Sequence, residues 1–486
     1  MINHWPRTRR WRFLSLLGIL VATAAWSDER TNFVLLIADD VSVSDWGCYG
    51  HPVIRTPHID ALAERGLRFE NAYLTTSSCS PCRASLITGR YPHNTGAPEL
   101  HTPLPADQIL FPARLQEAGY HTVMSGKNHM GNHVKSAFSV VSPGRGPGKQ
   151  ADWVELLQQR PPDQPFFFWF AASDAHRNWT FTDHAPRYDP DRMVVPPWLV
   201  DGPRTREDLA SYAHEVSRFD HFVGEVCNEL VRQGVFDNTV VMVMADNGRP
   251  FPRCKTRLYD SGIKTPLVIC CPDRFASATC RRLVSTIDLA PTIMELAGVG
   301  IPREVQGVSL LPLLREPDWQ VRDVVFAEHN WHVYRNHERM VRHGDWVYIR
   351  NRFPNQQNLC VEAYCGGAGE ELWEMREAGQ LNEIQLTLFR NPCPEHELFY
   401  LPDDPQQLRN LAADPVHRTT LEQLQGLLSR WEQETGDTFP RRPTPDRDAP
   451  PDRPALDRDD FKRGEMPGQR AAADKIDRPG PVFADR

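Results

Sequence analysis

The sequence carries no surplus of positive charge; its formal net charge is −8. A general nucleic-acid partner therefore has no electrostatic support, and an anionic ligand must be met by a local basic pocket. Beyond the N-terminal stretch no apolar run is long enough to span a bilayer. There is no internal repeat, and no second C-x-x-C exists to complete a zinc set begun by Cys79 and Cys82. The eleven cysteines lack the dense spacing of a small stapled domain, and their odd number leaves at least one without an intrachain partner. Apolar residues are scarce after Pro440. Residues 440–486 are expected to form a disordered tail, because they bury too little to offset their ordering entropy.

Arg7, Arg9, Arg10 and Arg12 precede an apolar run, Phe13–Ala25, and Ala22-Thr23-Ala24 suits a small-x-small cleavage site. This order predicts a signal peptide over residues 1–27, with an uncleaved anchor as the alternative. Export to a periplasm or the exterior follows (a lysosomal-type route in a eukaryote), with no stable membrane insertion after cleavage. Export permits disulfides, for which Cys360, Cys365 and Cys393 are candidates.

Apolar runs of strand length occur at Phe33–Ala38, His121–Ser125, Pro165–Ala172, Thr239–Ala245 and Pro266–Cys271. FFFWFAA and VVMVMA are apolar at consecutive positions, as in strands covered on both faces. Helical patterns lie between them, at Ile59–Arg68, Phe111–Ala118 and Leu209–Gln233. The alternation predicts an α/β domain with a doubly wound sheet over 28–320. Past residue 320, VVFAEH and WVYIRN suggest a smaller antiparallel sheet, giving an α+β subdomain over 321–439. Leu421–Thr435 is expected to pack across it as a helix.

Polar residues sit just past the C-terminal ends of the buried strands, where open α/β sheets place ligands. Asp39 and Asp40 follow FVLLIA, Lys127 and His129 follow HTVMSG, Asp174 and His176 follow FFFWFAAS, and Asp246 and Asn247 follow TVVMVMA. Helix capping explains one such acid but not four strand ends. Asp39, Asp40, Asp246 and Asn247 offer oxygen ligands only, which favours Ca²⁺ or Mg²⁺ over Zn²⁺. In Ser77–Gly96, Pro81 suits a first helical turn and Gly89 a helix stop. Cys79 then stands at a helix N-terminus that favours negative charge, with Arg83 four residues on. A thioredoxin-like pair of Cys79 and Cys82 is the alternative, although the flanking order is not W-C-x-x-C.

Cys79-Ser80-Pro81-Cys82-Arg83 with Thr88-Gly89-Arg90 resembles the type I sulfatase signature C-x-P-x-R…T-G. Ala38-Asp39-Asp40, Gly126-Lys127-Asn128-His129, Asp174-Ala175-His176-Arg177, Asp246-Asn247-Gly248 and Lys255 resemble further segments of that family in the same order. Cys82 stands where the family usually has Ser or Ala, and Ala175 where it has Pro. Glu99-Leu100-His101, the Asn247–Pro252 stretch and Leu408–Thr435 resemble the branch acting on N-sulfoglucosamine. The resemblance implies an alkaline-phosphatase-like fold and a sulfuric ester or sulfamate hydrolase acting on a sulfated saccharide. It also implies Ca²⁺ and a formylglycine made from Cys79 by a maturation enzyme.

In that reading the metal ligands are Asp39, Asp40, Asp246, Asn247 and residue 79, whose hydrated aldehyde is the nucleophile. Asp246 takes its proton and Arg83 steadies it. Lys127 and Lys255 neutralise the sulfuryl oxygens, His176 is the candidate acid and His129 the candidate base. His101, His329, Trp331, His332, Arg339 and Arg342 are the candidate sugar contacts, since aromatic faces suit sugar C–H surfaces and Arg suits carboxylate or sulfate. A solvated strand pair is the alternative for the last five. Two rivals stay open: a phosphatase or phosphodiesterase of the same superfold with two zincs, and a glycan-binding relative in which Cys79 stays a thiol.

Overall fold

In the computed structural model, the described residues are 30–485 apart from 358, 359, 361, 363, 455 and 457–460. The expected signal peptide, residues 1–27, lies outside them. Eight strands form the main sheet: β1 (Asn32–Ala38), β2 (Leu67–Tyr73), β3 (His121–Gly126), β4 (Val140–Ser142), β5 (Phe166–Ala171), β6 (Thr239–Ala245), β7 (Leu267–Cys270) and β8 (Ala278–Ser285). Their order is β4-β3-β5-β1-β6-β7-β2-β8. All pairings are parallel except those of β7, which runs against both β6 and β2.

Every residue of β1, β5 and β6 is buried. Alternate side chains feed two cores, one on each face of the sheet. Phe33, Leu35, Ile37, Phe167 and Trp169 meet the helices Cys79–Thr88, Phe111–Glu117 and Leu289–Leu296. Val34, Leu36, Phe168 and Val243 meet the helices Pro57–Arg65 and Pro203–Arg232. This is the doubly wound mixed sheet flanked by helices. The helix expected over Ile59–Arg68 stops at Arg65; Gly66 follows and β2 begins at Leu67.

Four more strands, β9 (Val324–His329), β10 (Glu338–His343), β11 (Trp346–Asn351) and β12 (His396–Tyr400), make the smaller antiparallel sheet in the order β12-β11-β10-β9. The helix Arg418–Thr435 lays Leu424, Leu428 and Trp431 on Phe326, Val341, Tyr348 and Leu398. Residues 31–486 cluster as one unit.

Described residues of the segment expected to form a disordered tail are hydrogen-bonded to the body of the chain. Arg90 donates to the carbonyls of Asp474 and Ile476 at 3.0 and 2.6 Å, Asn94 to Ala473 at 2.7 Å, and Gln306 to Arg478 at 2.8 Å. Polar side chains of the body thus anchor the tail backbone, which a count of apolar residues overlooks. No helix among the described residues is long and apolar enough to cross a membrane.

Candidate active site

The C-terminal ends of β1, β3, β5 and β6 share one edge of the sheet, and β1 is the point where the winding reverses. Asp39 follows β1 with its N–H on the Asp174 carbonyl at 2.7 Å, and Asp40 turns in the left-handed region at φ 61°. Asp and Asn tolerate that conformation best among residues with a Cβ. Gly126 closes β3 at φ 94°, where an added Cβ would lie 2.0 Å from the Ala171 carbonyl. Only glycine lets the chain turn there and deliver Lys127. The segment after β2 leads into the helix Cys79–Thr88, capped by extended Ser78 and ended by left-handed Gly89. Cys79 is the first residue of that helix.

These segments converge. One donor atom each from Asp39, Cys79 and Asp246 lies within 4.8 Å of the others. Cys79 Sγ is 3.9 Å from Asp40 Oδ1. Asn247 turns its amide nitrogen to the same oxygen. Asp39 Oδ1 and Asn247 Oδ1 are buried without a hydrogen-bond partner. Buried acceptor oxygens left over beside three carboxylates suit a hard cation.

Cations ring the acids. Arg83 Nε and Nη2 reach Asp246 Oδ2 at 2.8 and 2.7 Å, and Nη1 donates to the Lys127 carbonyl at 3.0 Å. Lys127 pairs with Asp39. Lys255 Nζ lies 2.7 Å from Asp40 Oδ2 and 3.6 Å from Glu362. Glu362 was not foreseen; it lies in an irregular stretch with no motif to flag it.

Burial and charge set the protonation states. Burial would raise the Asp39 carboxyl, but Lys127 and Arg83 outweigh it and hold it far below the usual range. Burial lifts Asp246 to about 7 despite Arg83, helped by Asp39. Burial pushes the Cys79 thiol up to about 12 against the pull of Lys127 and Lys255. The side chain is therefore a protonated thiol at neutral pH, a poor nucleophile. Burial, then Lys127 and Arg83, push His129 down to about 2, which leaves its imidazole neutral.

The site opens into a cavity of about 580 Å³ whose walls include Asp39, His101, Lys127, His129, His176 and Glu215. His176 is half-exposed, with Nε2 4.0 Å from Asp40 Oδ2. The His101 and His129 rings are 4.7 Å apart. His332 is buried, with Nδ1 2.7 Å from Ser78 Oγ beside Cys79. Lys149 also lines the cavity and had no sequence signal.

The remaining expected sugar contacts are held elsewhere. Trp331 is 2% exposed and gives its Nε1–H to the Pro445 carbonyl at 2.7 Å. Arg339 is fully buried and paired with Asp437. Arg342 is spent on Tyr73 Oη and the Gly344 carbonyl. His329 is buried against Glu338 at 3.3 Å. Both faces of β9 and β10 are covered, so Arg339 and Arg342, on opposite faces of β10, both end inside the protein, satisfied by an ion pair and by hydrogen bonds, while Trp331, beyond β9, is held by the tail.

An open α/β sheet that gathers three carboxylates, three cations and a helix-terminal side chain at its switch point defines a class: hydrolases of the alkaline-phosphatase-like fold, built to hold an anionic group beside a nucleophile. Within that class the chain belongs to the sulfatase family, whose model matches residues 31–146 and 150–299. A second model, the C-terminal part of N-sulphoglucosamine sulphohydrolase, matches residues 254–351. The chain is 32% identical over 468 residues to the N-sulphoglucosamine sulphohydrolase of Homo sapiens, covering 84% of this chain and 91% of that one. It is 27% identical over 474 residues to an ulvan-active sulfatase of Formosa agariphila, covering 86% and 77%. A solved structure described as in complex with its substrate D-glucosamine-2-N,6-O-disulfate superposes with a TM-score of 0.63 at 20% identity, covering 83% and 98%. The protein is a sulfatase.

Proposed function

We propose that this sulfatase releases sulfate from a sulfated saccharide, with an N-sulfoglucosamine-type sugar as the leading substrate, using formylglycine at position 79. The observation that carries the reading is the convergence of Asp39, Asp40, Asp246 and Asn247 on Cys79 inside a ring of Arg83, Lys127 and Lys255. The sugar class draws support from the 32% identical human sulphohydrolase and its matching C-terminal model.

Asp39, Asp40, Asp246, Asn247 and residue 79 would hold Ca²⁺, which supplies Lewis-acid charge stabilisation when bound. Formylglycine supplies a hydrated aldehyde with one oxygen to accept a sulfuryl group and a second to release it. The rest falls to the chain. Lys127 and Lys255 face the oxygens of an entering sulfate and offset their charge. Arg83 bridges Asp246 and the Lys127 carbonyl, so it orients both the acid and the loop bearing His129. Asp246 is the proton acceptor for position 79. His129, held low by burial, Lys127 and Arg83 until an entering sulfate anion offsets those cations, serves as a base, and His176, at the open side of the cavity, as the acid to the leaving oxygen or nitrogen. Export and a maturation enzyme that converts Cys79 belong to the same reading; the basic-then-apolar N-terminal order and the C-x-P-x-R segment support them.

The test pairs a mass spectrum of the tryptic peptide ending at Arg83, from protein made in its native host, with sulfate release from sulfated sugars. Conversion of Cys79 and turnover are expected. Cys79→Ala should lose turnover and keep its fold. An unmodified thiol without turnover refutes the reading.

A further inference from the structure

The turn Glu99–Thr102 joins the site to the C-terminal segment. The Leu100 N–H donates to the Trp331 carbonyl at 3.1 Å, and the His101 N–H to Ser80 Oγ at 2.7 Å, one residue from Cys79. His101 sits at φ 63°, a conformation a non-glycine residue keeps only when its surroundings impose it. Its ring leaves the turn for the cavity and reaches His129. Glu99 points the other way and is 2% exposed. Its carboxylate accepts from Thr444 Oγ1 at 2.7 Å and from Arg463 Nη1 at 3.1 Å. Arg463 also donates to the Leu100 carbonyl and lies 5.0 Å over the Trp331 ring. Thr444 Oγ1 in turn accepts the Gly464 N–H at 3.0 Å. Among the described residues, both hydrogen bonds to this buried carboxylate thus come from the segment read from composition as disordered.

We propose that Thr444 and Arg463 are positioning residues that hold His101 toward the sulfated sugar, so that substrate affinity depends on the C-terminal segment. The inference rests on the saccharide sulfatase reading above. Its physical basis is that a buried carboxylate stripped of its donors moves or draws in water. Glu99 is two residues from the strained His101, so any such movement displaces the imidazole.

The test measures binding of a glucosamine N-sulfate disaccharide by calorimetry to the full chain carrying Cys79→Ala, so that turnover is not needed. Arg463→Ala is expected to weaken binding about tenfold, and His101→Ala by as much. The pair together should be no weaker than His101→Ala alone, because both act through one group. Arg463→Lys, which can still pair with Glu99, should recover part of the loss. In the active enzyme Arg463→Ala raises KM more than it lowers kcat. Unaltered affinity in Arg463→Ala, additive losses, or no binding of the disaccharide overturns the proposal. Should Arg463→Ala not fold, Thr444→Val strips Glu99 of its other donor at nearly the same volume, and the same weakening is expected. The two readings fail separately: absent sulfate release with coupled binding refutes the sulfatase substrate reading, and turnover with an uncoupled Arg463 refutes the positioning alone.

Discussion

Asp39, Asp40 and Asp246 are wholly buried within one small volume, and Arg83, Lys127 and Lys255 offset them. The balance leaves acceptor oxygens on Asp39 and Asn247 to spare, so a bound dication should stabilise the fold as well as the reaction. Chelation is expected to abolish turnover, with Ca²⁺ restoring it and one Ca²⁺ bound per chain. Saturating Ca²⁺ at a hundredfold its Kd should add about 2.7 kcal/mol of stability, measured by thermal unfolding with and without the ion. Two zincs per chain would favour the phosphatase rival.

A second residue-scale expectation concerns Asp220 in the long helix Pro203–Arg232. Its carboxylate accepts the N–H groups of Ile59 and His58 at 2.8 and 3.3 Å, in the first turn of the helix Pro57–Arg65. Burial raises it to about 7. A carboxyl whose folded pKa lies above its unfolded value of about 3.9 gives its full contribution below pH 4 and loses it as pH rises to 7. Asp220→Asn keeps an acceptor and cannot ionise. The variant should gain on wild type by on the order of 1 kcal/mol or more between pH 5 and pH 8. Urea midpoints at the two pH values measure this; equal differences would refute it.

At the scale of elements, the largest anchor of the helix Arg418–Thr435 is Trp431. Trp431 is fully buried, stacks on Phe326 with centroids 5.2 Å apart and meets Tyr91 and His93 edge-on at 5.1 Å each. It ties the small sheet to the loop after the Cys79 helix. Trp431→Ala should cost about 3–5 kcal/mol, seen as a lowered unfolding midpoint.

Elements also show what the residues made legible. FVLLIA, FFFWFAA and TVVMVMA are apolar at consecutive positions, and all three are strands. LRFENAY in β2 and ATCRRLVS in β8 mix charge with apolar residues because β2 is only partly covered and β8 turns Arg281 and Arg282 to solvent. No apolar run announces either strand. The acids of the site were readable because chemistry at the end of a buried strand is conspicuous. The destinations of Trp331, Arg339 and Arg342 were not, since they depend on Pro445, Asp437 and Tyr73, each about 100 residues or more away in sequence.

At the scale of the whole molecule, the C-terminal segment behaves as a strap. Its carbonyls satisfy Arg90, Asn94 and Gln306, all buried or nearly so. A chain ending at Pro440 leaves those donors without their acceptors. It should lose on the order of 3 kcal/mol or more, read by calorimetry against the full chain. An unchanged midpoint would mean that the strap is ornamental.

Cys79 is 1% exposed, sealed between strand ends that lie more than 200 residues apart in the chain. On the formylglycine reading proposed above, a maturation enzyme must reach that sulfur while β1 and β6 are still strangers, and competence becomes a race between its visit and the closing of the sheet. A variant that folds faster could be more stable and yet yield fewer working molecules, and slowing the last step of folding could raise the yield without touching a single catalytic group.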